Sequence, residues 1–378
     1  MRAGGLDEVL PRVAEIVADV RARGDEALLD WSEELDGERP VLRVPPERLA
    51  EARLDDDVRA SVRSLAAAVE AFSEVQRPAD TSVEAVPGVV AERRWLPLSS
   101  VGVYVPGGRA AYPSSLVMTA VPARVAGVAR IAVVTPRPAE ATLAVARELG
   151  IDEVYAVGGA QAVAALAYGT ETIAPVDKIV GPGNRWVTAA KLLVSNAVAI
   201  DLPAGPSEVV VLADASADPA QCAADLLAQA EHGPDSEALL LALDDGLADA
   251  VAQLVAGVDN IHIERFASLD EALARSDDYA PEHLELWLAD AEAVAARVRN
   301  AGTVFVRTSA VVGDYASGAT HVLPTGGLAK GAGGLGLESF LKPMQFVRAD
   351  SLERVREIAL PLARVEGLPR HAVALEPR

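Results

Sequence analysis

Two short runs in this 378-residue sequence bring together side chains of the kinds that hold metals and move protons. In CAADLLAQAEHGPDS, Gln229 and His232 stand three apart in a helical run, so an amide oxygen and an imidazole nitrogen project from one face near a helix C-terminus. That spacing can place both on one metal ion, but it equally describes a polar helix end where the dipole favours a His. In YAPEHLELWL, Glu282 and His283 are adjacent, just after a proline that turns the chain before a helix or strand. Such a pair can divide acid–base work, the carboxylate activating water while the imidazole takes a proton from an alcohol near neutral pH. An exposed helix N-terminus would carry the same Glu for electrostatic reasons alone.

A third candidate is Asp314 in VVGDYASGATHVLPTGG, after an apolar strand at the start of a loop, with His321 in the same loop. Open α/β sheets put ligand-binding groups in such loops, and Asp with Gly also makes plain turns. The five histidines are His232, His262, His283, His321 and His371, and only His262, in NIHIERF, reads as a strand residue with no partner motif. So few histidines, set beside Gln, Asp and Glu, point to a metal or proton-transfer site. The single cysteine, Cys222, excludes an intramolecular disulfide and a thiolate-based structural zinc site within one chain. Any metal must use His, carboxylate or amide ligands.

The common dinucleotide fingerprint GxGxxG does not follow any strand. Instead VGVYVPGGRAAYPSS offers a strand, then Pro106, Gly107 and Gly108, then a helix from Pro113 with Ser114 and Ser115, and GPGN at Gly181 to Asn184 closes the run KIV. Glycine turns entering helices can present backbone N–H groups to a phosphate. They can also be tight strand-to-helix turns and nothing more.

The elements that must position these residues follow from periodicity. Apolar residues recur at three- and four-residue intervals from Leu6 to about Asp36, predicting two helices, and again from about Asp56 to Gln76, before an irregular, Pro-rich region up to Pro97. From Val101 to the KIV run, short β-branched runs alternate with Ala-rich helical ones, and the pattern repeats from Glu208 to Arg307. Alternation at this spacing specifies parallel strands with right-handed crossovers. The expected fold is therefore α/β, with two doubly wound, incomplete Rossmann-like parallel sheets, a helical N-terminal segment and an extended C-terminal tail. The expected boundaries are one discontinuous domain of 1–100 with 209–335, a second of 101–208 carrying the dinucleotide-contacting turns, and a tail segment from 336 to 378. A glycine-dense loop, GGLAKGAGGLGLESF, must wrap a ligand or be held by a neighbour.

Composition excludes several roles. The net charge of −21 opposes binding to phosphate backbones and anionic lipid, so neither nucleic acid nor membrane is an expected partner. Hydrophobic residues are 51% and aromatic ones 4%, so the core must be built from Ala, Val, Leu and Ile, as in a helix-covered sheet. The start, MRAGGLDEVLPRVAEIV, interrupts its apolar positions with charges, and no run is long enough to span a bilayer, so a cytoplasmic protein is expected.

Taken together, the runs VRARGDEALLDW, VGVYVPGGRAAYPSSLVMTAVPARVAGV, DEVYAVGGAQAVAALAYGTETIAPVDKIVGPGNRWVTAAK, DLPAGPSEVVVLAD, QAEH, YAPEHLEL, GDYASGATHVLPT and EGLPRHA resemble the histidinol dehydrogenase family, in that order, from about Val20 to the C-terminus. The resemblance implies a zinc-dependent oxidation of L-histidinol through L-histidinal to L-histidine with two NAD, the last step of histidine biosynthesis. Gln229, His232, Asp314 and His371 match the family's zinc ligands, and Glu282 and His283 its acid–base pair. Tyr104, Gln161 and Asn184 match positions that contact NAD. Ser207 and Glu366 match substrate contacts, alongside the zinc ligands and His283; for His321 only proximity carries over.

In the family the tail reaches the neighbouring subunit, so the resemblance also implies a homodimer with shared active sites. This chain is shorter than expected of members at the N-terminus, between His232 and Tyr279, and after His371. Its glycine-dense loop also replaces a usual Ser- and Thr-containing run, which bears on loop rigidity. Two rival readings stand beside histidinol oxidation. One is a related zinc and NAD alcohol dehydrogenase acting on another small alcohol, since fold does not dictate substrate. The other is an inactive zinc-binding homologue, which would need neither Glu282 nor His283.

Overall fold

The computed structural model describes residues 6–107, 112–203 and 205–375; Gly108, in the first glycine turn, lies outside the described residues. The chain divides into two compact units, Met1–Gln76 with Leu98–Phe340, and Arg77–Pro97 with Leu341–Arg378.

The first unit opens with α1 (Leu6–Arg23), α2 (Asp25–Asp36), α3 (Pro46–Glu51) and α4 (Asp56–Val75). α1 buries Val9, Val13, Ile16, Val17 and Val20, a stripe at helical spacing that must find an apolar partner. In the second unit, β1 (Thr81–Val86) and β2 (Val89–Pro97) form an antiparallel hairpin.

Back in the first unit, β3 (Ser100–Tyr104), α5 (Pro113–Ala126), β4 (Arg130–Val134), α6 (Glu140–Glu148), β5 (Glu153–Tyr155), α7 (Gly159–Tyr168), β6 (Lys178–Val180), α8 (Arg185–Val194) and β7 (Ala199–Ile200) build one parallel sheet and its helices. A second parallel sheet comes from β8 (Glu208–Ala213), α9 (Pro219–Ala230), β9 (Glu237–Ala242), α10 (Asp245–Leu254), β10 (Ile261–Arg265), α11 (Leu269–Tyr279), β11 (His283–Trp287), α12 (Ala291–Ala295) and β12 (Thr303–Val306). A short helix, α13 (Val311–Tyr315), follows.

The strand orders are β5-β4-β3-β6-β7 and β10-β9-β8-β11-β12. Each sheet grows outward from its first strand, then crosses back to grow on the other side, the doubly wound order lacking its sixth strand. The two incomplete Rossmann-like sheets expected from the alternating runs are both present. All six residues of β8 are buried, because helices cover both faces of a parallel sheet.

The N-terminal helices pack differently from the expected grouping of 1–100 with 209–335. α1 lies against α7 and α8, α3 against α6, and α4 against α5, so they cover the first sheet. An apolar stripe shows that a helix buries a face without saying against which sheet.

The second unit also departs from the expected tail. The region before Pro97, read as irregular, supplies β1 and β2, and β13 (Leu341–Ala349) pairs antiparallel with β2. No residue of β1 or β2 and only Leu341 of β13 is buried, so these strands lack the buried–exposed alternation that marks half-buried strands. The tail holds two helices, α14 (Glu353–Val365) and α15 (Pro369–Ala374), the second standing where an extended end was expected. Pro369 begins α15, where a missing N–H costs nothing.

One buried ion pair ties the ends of the first sheet together. Lys191 Nζ donates to Asp201 Oδ1 at 2.6 Å and to the Gly181 carbonyl at 2.5 Å, while Gly181 N–H donates to Asp201 Oδ2 at 2.7 Å. Gly181 has φ +113°, and a Cβ there would stand 2.2 Å from the Tyr104 carbonyl oxygen, so only glycine lets the ends of β3 and β6 approach. Lys191→Met should lower unfolding stability by about 3–5 kcal/mol, because it leaves the Asp201 charge buried and unpaired. A fall in the urea midpoint with an unchanged slope is the expected reading.

Candidate active site

Parallel strands β8 and β11 are neighbours, with His283 level with Val209. Their amino ends bring Ser207, Glu208, Glu282 and His283 together. Glu282 Oε2 accepts from Ser207 Oγ at 2.7 Å and from Glu208 N–H at 2.9 Å. His283 Nδ1 lies 3.2 Å from the Glu208 carbonyl, and 3.6 Å from Glu282 Oε2. A carbonyl can only accept, so Nδ1 carries the proton and Nε2 the lone pair. The imidazole also faces Phe305 of β12, ring centroids 5.8 Å apart.

Gln229 ends α9, and His232 follows in the next turn, with Nδ1 3.2 Å from the Gln229 carbonyl. The same reasoning leaves His232 Nε2 as a free donor of electrons. Asp314 lies within α13 rather than in a loop, and His321 Nδ1 is 3.6 Å from its Oδ1. The charges of His232, His283 and Asp314 act on one another and on Glu282 and His321, so the candidates picked from three separate runs form one cluster. His262 is not among them; it is exposed on the outer strand β10.

The cluster sits at the amino edge of the second sheet, opposite to the edge where the expectation for Asp314 placed it. Ligand crevices in open sheets usually form at carboxyl ends. Here α13 turns back along the sheet after β12, which carries Asp314 to the other edge.

Burial sets the protonation of the group. It pushes Glu282 up to about 7 against the opposing hydrogen bonds from Ser207 and Glu208. It lowers His283, opposed by Asp314, and takes His321 down to about 4. It also raises Asp314. Neutral imidazoles are the form that ligates metals and takes protons.

The fit of a metal turns on Gln229. Ser207 Oγ has one proton, committed to Glu282 at 2.7 Å, yet the Gln229 atom 3.4 Å from Ser207 is placed as its acceptor Oε1, while the buried Nε2 has no partner. With the amide O and N exchanged, Gln229 donates to Ser207 and its carbonyl oxygen is left to accept from or ligate another group. That oxygen, His232 Nε2 and the Asp314 carboxylate make an N/O donor set suited to Zn²⁺. Among the described residues no three His, Cys, Asp or Glu side chains group closely enough to hold a metal, so an amide ligand matters. Glu366 and His371 lie in the second unit, at the end of α14 and within α15, both exposed.

The dinucleotide-contact candidates line the carboxyl edge of the first sheet. Tyr104 ends β3, buried, with its phenol pushed up to about 12 by burial; its oxygen accepts from Gly159 N–H at 3.1 Å. Gln161, in α7 after β5, is buried with Oε1 lacking a partner. Asn184 follows β6 and caps α8, its Oδ1 accepting from Trp186 and Val187 N–H, which leaves only its amide nitrogen for a ligand. β3 and β6 flank the point where the strand order reverses, the usual crevice for a nucleotide. Ser115 Oγ, on α5, meets His321 Nε2 at 3.3 Å, so this edge faces the amino edge of the second sheet.

Sequence reasoning missed Phe305, and with it Glu285 and Asp225, two buried acids behind the site. Glu285 was detectable as a charge at alternate spacing from His283 in an otherwise apolar strand.

The two-sheet fold is one that dehydrogenases share. The succinate-semialdehyde dehydrogenase from Burkholderia pseudomallei superposes with a TM-score of 0.54 at 15% identity, over 92% of this chain and 90% of that one, a likeness of fold alone. The chain belongs to the histidinol dehydrogenase family, whose profile matches residues 2–378. It is 42% identical over 404 residues to the histidinol dehydrogenase of Methanosarcina barkeri, covering 100% of this chain and 93% of that one. With that of Thermobifida fusca it shares 45% over 397 residues, covering 97% and 91%. The crystal structure of histidinol dehydrogenase from Elizabethkingia anophelis matches with a TM-score of 0.91 and 34% identity, over 97% of this chain and 91% of that one. The chain is thus an oxidoreductase of this family. No helix among the described residues is long and apolar enough to cross a membrane.

Ser207→Ala removes a hydrogen bond that favours ionised Glu282. The Glu282 midpoint, followed by its carboxylate infrared band, should move upward by about one pH unit.

Proposed function

We propose that this chain oxidises L-histidinol through L-histidinal to L-histidine, with zinc and two NAD per turnover. The observation that carries the reading is the convergence of Glu282 and His283 with Gln229, His232 and Asp314, facing the first sheet across the Ser115–His321 contact. When bound, zinc supplies an anchor for the substrate's imidazole and amine, and NAD supplies the hydride acceptor. Gln229, His232 and Asp314 would hold the metal, with His371 of the partner subunit as the fourth ligand. Tyr104, Gln161 and Asn184 would hold NAD.

His283 Nε2 takes the proton of the alcohol, its ring fixed by the Glu208 carbonyl. Glu282, near 7, then takes a proton from the water that hydrates the aldehyde, and His283 serves again as the hydrate is oxidised. Ser207 and the partner subunit's Glu366 would contact the substrate, the latter pairing with its ammonium. Burial of this pair keeps bulk water away and retains the reactive aldehyde between steps.

Shared sites require a homodimer. Within α14 only Ala363 is buried, while Ile358, Leu362 and Val365 of the same helix and Val373 of α15 are exposed. An apolar face of this kind is covered in the folded assembly, and a second copy of this chain is the proposed cover.

Zinc-loaded protein given L-histidinol and excess NAD should form about two NADH per histidinol, and a chelator should abolish the reaction. No NADH from histidinol with zinc bound would sink the assignment and favour another alcohol. His283→Gln should slow the alcohol step about 10²–10⁴-fold, whereas Glu282→Gln should spare it and slow aldehyde oxidation. Equal mixtures of His283→Ala and His371→Ala chains, refolded together, should regain roughly a quarter of wild-type activity if sites are shared. No recovery would argue for sites built within one chain.

A further inference from the structure

Behind the site lies a second pair of acids that the proposed chemistry does not use. On β11, His283, Glu285 and Trp287 alternate onto one face, while Leu284 and Leu286 pack on the other side of the sheet. Glu285 is completely buried. Its Oε1 accepts from Ala310 N–H at 2.6 Å and its Oε2 from Trp287 Nε1 at 2.9 Å. Ala310 begins the α13 segment that carries Asp314.

The third neighbour is Asp225, on the buried face of α9 one turn before Gln229. Its Oδ1 accepts from Gln221 at 3.1 Å, and its buried Oδ2 has no donor among the protein's fixed hydrogens. Asp225 nonetheless acts on Glu285, and two ionised carboxylates buried side by side would repel. A single proton held between them satisfies Oδ2 and removes one of two like charges. Burial, and then Asp225, push Glu285 up to about 8, so that proton is retained at neutral pH. Cys222 on the same helix is likewise pushed up to about 12, by burial and these acids.

We propose that Glu285 is a positioning residue that locks the Asp314 helix and the Gln229–His232 helix to the strand of His283, through its hydrogen bond to Ala310 and a proton shared with Asp225. Three elements distant in sequence each bring part of the metal and proton-transfer group, and this one side chain lies on one, accepts from the backbone of the second and is acted on by an acid of the third. Outer-shell hydrogen bonds of this kind hold ligands at the separation a metal requires. The inference rests on the metal reading of the cluster above.

The test uses full-length protein with Co²⁺ in place of zinc, because its visible absorption bands report ligand geometry without any turnover. E285Q keeps an acceptor for Ala310 and a donor for Asp225; E285A keeps neither. E285A, folded by near-ultraviolet circular dichroism, should bind Co²⁺ about 10–100-fold more weakly with displaced bands, and E285Q should stay within about threefold of wild type. Should E285A fail to fold, A310P removes the α13 tie with Glu285 in place and is expected to displace the bands alone. Wild-type affinity and bands in the folded variants, or equal losses in E285Q and E285A, would overturn the proposal. A wild-type chain that binds no Co²⁺ would overturn it together with the metal reading. One that binds Co²⁺ but leaves histidinol untouched would overturn the substrate assignment alone.

Discussion

The peptide groups on either side of Glu208 hold both reacting side chains. Its N–H donates to Glu282 and its carbonyl accepts from His283. β8 and β11 begin level with each other, so the backbone at the start of one strand meets the first side chains of the next. Everything else in the site depends on that registry. Slipping β11 by one residue would turn His283 and Glu285 to the opposite face of the sheet.

Because the pair sits at the amino edge, the second sheet cannot serve as a nucleotide site in the usual way; its carboxyl edge lies at the other end of the strands. In the proposed function the first sheet takes that role with its own carboxyl edge, where Tyr104 ends β3 and Gln161 and Asn184 follow β5 and β6. Two halves of the same winding are thus used by opposite edges. The Ser115–His321 contact marks where they meet.

Burial is the second constraint. An exposed Glu282 would ionise well below neutrality and be a poor base; buried, it is poised near 7, where proton transfer is efficient. The same burial is costly for acids deeper in the fold, and Glu285 meets it by accepting from Ala310 N–H and Trp287 Nε1. The Lys191–Asp201 pair meets the cost in a different way, by matching opposite charges around Gly181.

Much of this was legible in the residues alone. Alternation of β-branched and Ala-rich runs determined two parallel sheets, since each crossover has to return the chain to the same edge, and the ordered motifs identified the family and its candidate residues. Local pattern could not say that α1 to α4 cover the first sheet, because an apolar stripe names no partner. Nor could it reveal β1, β2 and β13, whose exposed faces carry no hydrophobic period. Only the tertiary structure decided that Asp314 reaches the amino edge, that Asn184 spends its oxygen on a helix cap, and that Glu285 joins β11 to α13. Those facts depend on contacts between residues tens of positions apart, which spacing along a chain does not encode.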